Sequence, residues 1–158
     1  MYLKFKYSLI VDLKKGIDLL KNWREYKNLR SVILPYPWVI VLFGLSSRKK
    51  VKEAETIWKI VEGEVVEAFK RVGLKFPNDC TCYIYSVSCE GMFDVDWGNI
   101  DVRFYKTGGN HEFIDTIIHE LLHLATYKPK MTGDEREKVV DKYLMKKPFR
   151  QIIDKMSA

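Results

Sequence analysis

Hydrophobic residues recur every three to four positions in four stretches of the chain, which is the spacing of an α-helix with one buried face. These stretches cover residues 12–29, 46–72, 111–127 and 134–147. Gly73 follows the second stretch and is predicted to end that helix, because glycine commonly terminates helices. Pro148 is predicted to end or kink the fourth helix, which leaves residues 148–158 as a basic tail.

Between the second and third helices the hydrophobic period changes to two, which predicts short β-strands. These strands cover residues 80–88, 92–96 and 100–105. Residues 2–11 alternate only weakly and could form either a strand or a lead-in without regular structure. Residues 38–43 follow a break at Pro35 and Pro37, and their apolar run predicts a short buried strand or an apolar packing segment.

The composition excludes several classes of protein. A chain that is 47% hydrophobic and 30% charged is an ordinary globular protein rather than a disordered one, and 158 residues predict a single domain. The net charge of +6 comes mostly from the first thirty residues and from the segment after Asp141. We interpret it as a lysine-rich solvated surface and do not favour nucleic acid as a partner.

No segment of the sequence has the features of a membrane span or a secretory signal. The longest apolar run, residues 32–45, contains two prolines and is too short to cross a bilayer. Charged residues interrupt every apolar run at the N-terminus, which differs from a secretory signal. We therefore expect a cytoplasmic protein with no membrane partner.

The third predicted helix contains the sequence His119-Glu120-Leu121-Leu122-His123. Residues four apart on a helix lie one turn apart on the same face, so the two imidazoles can hold one metal ion. Glu120 lies beside them, where it could act as a general base. The match is strengthened by its place in a well-formed amphipathic helix and by its use of two of the chain's three histidines.

A catalytic zinc ion (Zn²⁺) normally takes three protein ligands, so one more is needed. His111 lies too far along the helix to reach the site, and no histidine follows His123. The remaining candidates are carboxylates on the next helix: Asp134, Glu135, Glu137 and Asp141. We predict that Glu137 is the third ligand, with Glu135 as the alternative. Asp141 is expected to accept the second ring N–H of a ligating histidine, His119 in our interpretation.

The chain has three cysteines, Cys80, Cys82 and Cys89. An odd number in a cytoplasmic protein predicts free, buried thiols rather than a disulfide. The spacing of Cys80 and Cys82 differs from that of a zinc knuckle. A thiolate that reaches the metal and holds the site inactive is the alternative.

The motif His119-Glu120-Leu121-Leu122-His123, followed by Glu137-Lys138-Val139-Val140-Asp141, resembles the gluzincin metallopeptidases, and among them the small single-domain minigluzincins. The order of helix, three strands, helix and helix over residues 48–146 is similar as well. The first 46 residues have no counterpart in this resemblance and are interpreted as an N-terminal extension.

The resemblance implies a zincin-like half-domain. In such a fold a small three- or four-stranded sheet packs on a backing helix, and the metal lies between the histidine helix and the following glutamate helix. An extended peptide or protein substrate would add to the edge strand of the sheet, here residues 92–96. Some small relatives are held inactive by a terminal segment in the cleft. The tail after Pro148 could do this, or it could be a simple packing helix.

These observations predict a zinc metallopeptidase. Zinc would lower the pKa of its bound water and polarise the peptide carbonyl. Glu120 would take the proton of the attacking water and pass it to the leaving amine. The donor to the oxyanion stays open among Tyr105, Tyr127 and Tyr143. The alternatives are a metal-binding protein without catalysis and a basic nucleic-acid-associated protein.

Overall fold

The protein has a mixed α+β fold. A computed structural model describes residues 3–23, 36–87, 90–104 and 109–157. The described residues form six helices and one four-stranded sheet. The helices are α1 (Leu9–Lys21), α2 (Pro37–Leu45), α3 (Ser47–Arg71), α4 (Gly109–Thr126), α5 (Gly133–Leu144) and α6 (Lys147–Ser157). The strands are β1 (Leu3–Tyr7), β2 (Cys80–Tyr85), β3 (Gly91–Asp94) and β4 (Asn99–Arg103).

The sheet has the strand order β1-β2-β4-β3. β1 and β2 are parallel, with Leu3 opposite Cys80, and β2 and β4 are parallel, with Cys82 opposite Ile100. β3 pairs with β4 in the antiparallel direction. β3 is therefore one edge of the sheet, as expected for residues 92–96, and β1 is the other edge.

One face of the sheet is buried against the helices. Its apolar side chains alternate along the strands because successive residues of a strand point to opposite faces. These side chains are Leu3, Phe5, Cys80, Cys82, Ile84, Ile100 and Val102. They share one core with α3, α4 and α6, in which Trp58, Phe69 and Phe149 are fully buried.

Most of the predicted elements are present with small changes at their ends. The predicted helix over 46–72 is α3, which ends before Gly73, and Gly73 has the positive φ of 76° that glycine tolerates best. The predicted helix over 111–127 is α4. Residues 2–11 contain β1, so the strand alternative is the one observed. The predicted helix over 12–29 begins earlier, at Leu9, and residues 24–29 lie outside the described part of the chain.

Of the two alternatives for residues 38–43, a buried strand or an apolar packing segment, the strand is wrong, because these residues form the helix α2. Pro37 lies in the first turn, where its missing N–H costs nothing and its fixed φ suits a helix. Ile40 and Phe43 are buried, whereas Trp38 and Leu42 are exposed. A run without polar residues shows no period, so periodicity could not separate a strand from a helix here.

The segment after Pro148 is a packing helix. α5 ends at Leu144, and α6 buries Phe149, Ile152 and Ile153 against the core. The Phe149 ring packs edge-on against Phe69 of α3, with 5.2 Å between their centroids. The tail was expected either to lie in the cleft or to form a simple packing helix. The described residues show the packing helix, which contacts α3 and α4. In the described part of the chain, no helix is both long enough and apolar enough to cross a membrane.

Candidate metal centre

α4 holds both histidines of the motif on its less apolar side. Its opposite side is buried in the core through Ile114, Ile117, Ile118, Leu121 and Leu122. This burial fixes the rotation of the helix, because any other rotation would expose these side chains to water. His119 and His123, one turn apart, consequently point together toward α5.

Three candidate ligands meet at the surface between α4 and α5. His119 Nε2 and His123 Nε2 are 3.0 Å apart. Glu137 Oε2 lies 3.3 Å from His119 Nε2, and Glu137 Oε1 lies 3.2 Å from His123 Nε2. Among the described residues, this is the one group of three such side chains whose ligand atoms all lie within 4.8 Å of one another. The three ligands predicted from the sequence are therefore brought together.

The spacing of these atoms fits a metal ion. Nitrogen and oxygen atoms bound to zinc at about 2.0–2.1 Å in a tetrahedron lie about 3.3 Å from one another. The two Nε2 atoms are separated by 3.0 Å, and each lies 3.2–3.3 Å from a different oxygen of the Glu137 carboxylate, so all four atoms surround one point with separations close to this value. Two imidazoles and a carboxylate form a donor set that suits zinc and several other divalent metals. The residues can therefore hold a metal ion.

A capping box at the start of α5 places Glu137 and uses the alternative ligand, Glu135. Thr132 Oγ1 accepts a hydrogen bond from the backbone N–H of Glu135 (3.3 Å). In return, the Glu135 carboxylate accepts one from the backbone N–H of Thr132 (2.8 Å). Each side chain thus satisfies a backbone donor that the helix itself leaves unpaired. Glu135 is held at the cap, and Glu137 is the carboxylate that reaches the histidines.

His123 is the more enclosed of the two histidines. Its side chain is buried, and its ring stacks on Phe93 of β3 with a centroid distance of 4.5 Å and an interplanar angle of 7°. Burial lowers the pKa of His123, while the charge of Glu137 acts in the opposite direction. The neutral form favoured by burial is the form that binds metals. Phe93 thus packs flat against the ring and contributes to its burial.

Glu120 lies against the edge strand. A Cβ atom added to Gly91 of β3 would collide with Glu120 Oε1, and it would lie 2.9 Å from Glu120 Cγ. Glu120 is only 6% exposed. This burial, with a smaller contribution from the charge of Glu137, raises the pKa of Glu120 from 4.5 to about 8. A divalent cation bound to the three ligands would act in the opposite direction, because positive charge stabilises a carboxylate.

A cation from α1 lies close to this glutamate. Lys15 Nζ forms an ion pair with Asp101 Oδ2 of β4 (2.6 Å) and lies 3.0 Å from the sulfur of Met92. Its charge lowers the pKa of Glu120, against the effect of burial. The chain before residue 46, whose role was unclear from the sequence, thus contributes a strand to the sheet and a buried lysine beside the candidate base.

The structure does not join Asp141 to the histidines. Asp141 is exposed on α5, and the described hydrogen bonds include none between its carboxylate and either ring. Asp115, one helical turn before His119, is closer to the expected role. Its Oδ1 is buried with no hydrogen-bond partner among the described residues, and burial raises the pKa of Asp115 while the charge of His119 lowers it. The spacing of four residues to His119 was the signal in the sequence that could have identified Asp115.

The structure describes two of the three cysteines and two of the three tyrosines considered as oxyanion donors. Cys80 and Cys82 are free and buried in β2, as expected, and they are not part of the ligand cluster. Burial raises the pKa of the Cys80 thiol to about 12. Cys89 and Tyr105 lie outside the described residues. Tyr127 packs edge-on against Phe93, 6.4 Å between centroids, whereas Tyr143 packs against the hydrophobic core.

No protein-family model, curated protein or solved structure gave a significant match to this chain.

Proposed function

We propose that the protein is a zinc-dependent metallopeptidase of the gluzincin type. The observation that carries the proposal is the convergence of His119, His123 and Glu137 on one point, together with a buried Glu120 whose pKa the charge of Glu137 raises. A purely structural metal site needs no buried carboxylate next to its ligands. A hydrolase needs one to accept a proton.

The fold supports this proposal. A mixed sheet backed by α3, followed by α4 with two ligands and α5 with the third, is the arrangement expected of a zincin-like half-domain. β3 is an edge strand, and its Phe93 contacts the ring of His123. A peptide paired with β3 would therefore pass in front of the candidate ligands.

The residues around the centre have distinct roles in the proposed reaction. A zinc ion, when bound, would polarise the peptide carbonyl and make water more acidic. Glu120 accepts the proton of the attacking water and transfers it to the leaving amine. Burial favours the protonated form of Glu120, and the charge of a bound metal would favour the ionised form, so two opposing effects act on a group that must both accept and release a proton.

The environment of Glu120 and His119 is set by two further side chains. Lys15 keeps positive charge near Glu120 and is itself held by Asp101. We assign to Asp115 the orientation of the His119 ring, because it lies one helical turn before His119 and its buried Oδ1 has no hydrogen-bond partner among the described residues. A carboxylate behind a ligating histidine fixes the ring and raises its basicity.

The substrate is expected to bind as an extended strand along β3. The exposed edge of a sheet offers unpaired backbone N–H and C=O groups, which can bind a peptide of varied sequence. Met92 is partly exposed on this strand and lies close to Lys15, so its side chain can contact the substrate.

The proposal is tested by measuring metal content and peptidase activity together. We expect about one zinc per purified chain, the content of a mononuclear site. Glu137→Ala should lose most of it, because one of three ligands is removed from an exposed position. Glu120→Gln should keep the zinc and lose cleavage of a mixed peptide library. Lys138→Ala, an exposed change beside Glu137, serves as the matched control and should keep both properties.

Two results would contradict the proposal. A wild-type chain that takes up no zinc would show that the three side chains are not a metal site. Near-normal cleavage by Glu120→Gln would show that another group acts as base. Zinc binding without cleavage of any peptide would favour the metal-binding protein without catalysis.

A further inference from the structure

Helix α1 buries two charged residues along with Leu19 and exposes most of its other large apolar residues. Asp12 and Lys15 are buried beneath it. Asp12 accepts hydrogen bonds from the backbone N–H and the hydroxyl of Ser86, at 2.9 and 2.8 Å. The outer side of α1 exposes a row of large apolar side chains: Leu9, Ile10, Leu13, Ile17 and Leu20. This is the reverse of the usual amphipathic helix, whose apolar face is buried.

Helix α2 adds a second exposed apolar row. Its buried face carries Ile40 and Phe43, and its outer face carries four more large apolar residues at positions i, i+3, i+4 and i+7. These are Trp38 (60% exposed), Val41 (56%), Leu42 (63%) and Leu45 (82%). A helix that is apolar on all sides is normally enclosed on all sides. Within the described ranges, α2 is enclosed on one side only.

The two rows form a continuous surface, which we call the α1–α2 face. An open groove of about 340 Å³ runs between the helices and is lined by Leu13, Gly16, Ile17, Ile40 and Val41, among others. At the start of α2, the rings of Tyr36 and Trp38 stack at 4.7 Å, and both are exposed. Exposed apolar surface of this extent marks an interaction site.

The charges that border the α1–α2 face are mostly positive. Lys14 and Lys21 are exposed on α1, each one turn after an exposed isoleucine, Ile10 or Ile17. Arg48 and Lys49 are exposed directly after α2. On the described outer side of α1 there is one exposed acid, Asp18.

We propose that the α1–α2 face docks on the surface of a lipid bilayer with anionic headgroups. Apolar side chains would enter the boundary between headgroups and acyl chains, and the bordering lysines and arginine would contact the headgroups. Tyr and Trp side chains favour this same depth. The nine residues of α2 are too few to cross a bilayer, but a helix that lies in the interface has no such length requirement.

Charge favours a bilayer over a second copy of the chain. In a symmetric dimer the same surface meets itself, so the positive borders of the two copies would lie close together and repel. An anionic surface presents the opposite charge to the same residues. The expectation of no membrane partner rested on the lack of a spanning segment, which docking on a surface does not need.

The proposal is tested with the full chain and sedimented vesicles. We expect binding to vesicles of phosphatidylcholine with phosphatidylglycerol, and little binding to phosphatidylcholine alone. Leu42→Glu with Leu45→Glu should weaken binding at least about tenfold, because it removes the inserted side chains. Lys14→Glu with Lys21→Glu should weaken it by a similar factor, since each basic residue near an anionic surface contributes severalfold.

Matched controls separate this surface from general effects of charge and hydrophobicity. Ile60→Glu changes an apolar residue of α3 that is 56% exposed, as Val41 is, but lies outside the α1–α2 face. Lys138→Glu with Lys142→Glu reverses two exposed lysines on α5. Both controls should keep vesicle binding. Far-ultraviolet circular dichroism should show that every variant is folded.

Three outcomes would overturn the proposal. The first is no vesicle binding by the wild type. The second is equal binding to neutral and anionic vesicles. The third is a wild-type dimer in analytical ultracentrifugation that Leu42→Glu with Leu45→Glu converts to a monomer, which would assign the face to a second copy. None of these measurements depends on zinc or peptidase activity.

Discussion

The lack of a side chain at Gly91 lets the edge strand approach the helix that carries Glu120. A Cβ atom at this position would collide with Glu120 Oε1 and lie 2.7 Å from Thr116 Cγ2. Gly91→Ala should therefore push β3 away from α4 and displace the glutamate. We expect a loss of about 1–3 kcal/mol in the free energy of unfolding. Peptidase turnover should fall about 100-fold, because small displacements of a catalytic group are costly.

Gly63 provides the matched control for this change. It lies within α3, and a Cβ atom there would have no neighbour within 4 Å. Gly63→Ala should raise the free energy of unfolding by about 0.5–1 kcal/mol, because alanine favours a helix. Urea unfolding and peptide cleavage measure both variants. Normal turnover in Gly91→Ala would show that Glu120 does not depend on this contact.

The raised pKa of Glu120 makes the stability of the metal-free protein depend on pH. In the unfolded chain Glu120 titrates near 4.5, and in the folded chain near 8. Between these values the folded state binds a proton that the unfolded state releases. The free energy of unfolding should therefore fall as pH rises, by at most about 1.4 kcal/mol per pH unit for one proton.

Glu120→Gln removes this titration and leaves the other groups unchanged. Urea unfolding in the presence of a chelator, from pH 4.5 to 8, should give a shallower decrease for Glu120→Gln than for the wild type. Equal slopes would show that Glu120 is not the group whose proton is lost.

At the residue scale, the sequence predicted contacts between residues that are close together in the chain. His119 and His123 are four residues apart on one helix, so their meeting could be predicted, and Glu137 followed from the need for a third ligand. Lys15, Gly91 and Phe93 come from other elements, and their contacts depend on how the sheet packs on α4. Asp141 was chosen from its spacing to Glu137, but its side chain is exposed to solvent.

At the scale of the element, the capping box of α5 separates helix stability from metal binding. Thr132→Ala removes the acceptor for the Glu135 backbone N–H. We expect it to lower the free energy of unfolding of the metal-free protein by about 1 kcal/mol, with wild-type zinc content. Glu137→Ala should lose zinc but leave the free energy of unfolding of the metal-free protein unchanged, because the Glu137 side chain is exposed and makes no cap.

Chemical denaturation in the presence of a chelator measures the stability of the metal-free protein. Elemental analysis without a chelator measures the zinc content. A loss of zinc in Thr132→Ala equal to that in Glu137→Ala would show that α5 is not held in place without its cap. Glu135→Ala should behave like Thr132→Ala, because Glu135 accepts the other bond of the box.

Helices α1 and α2 show why element type was easier to predict than environment. The period of α1 predicted a helix correctly, although the apolar side of that helix faces outward. In α2 the apolar run has no period, and its β-branched residues favour a strand by propensity alone. Packing of Phe43 against Tyr7, 5.4 Å between ring centroids, belongs to the tertiary structure and could not be read locally.

At the scale of the whole molecule, α6 joins the backing helix to the ligand helix. Phe149 is fully buried and contacts Phe69. Phe149→Ala should lower the free energy of unfolding by about 3–5 kcal/mol without raising peptidase activity. Gln151→Ala, a substitution at an exposed position of the same helix, should alter neither the free energy of unfolding nor the peptidase activity. Higher activity in folded Phe149→Ala would instead show that α6 holds the enzyme inactive.

The order of the strands also determines when the sheet can form. β1 is synthesised before the other described strands, yet Leu3 pairs with Cys80, 77 residues later. Protein synthesis proceeds at about 5–20 residues per second, so several seconds pass between the synthesis of β1 and the synthesis of its partner β2. Its outward residues, Lys4 and Lys6, are charged and exposed. Such lysines discourage pairing with another chain, so β1 is protected against aggregation in the interval before β2 is synthesised.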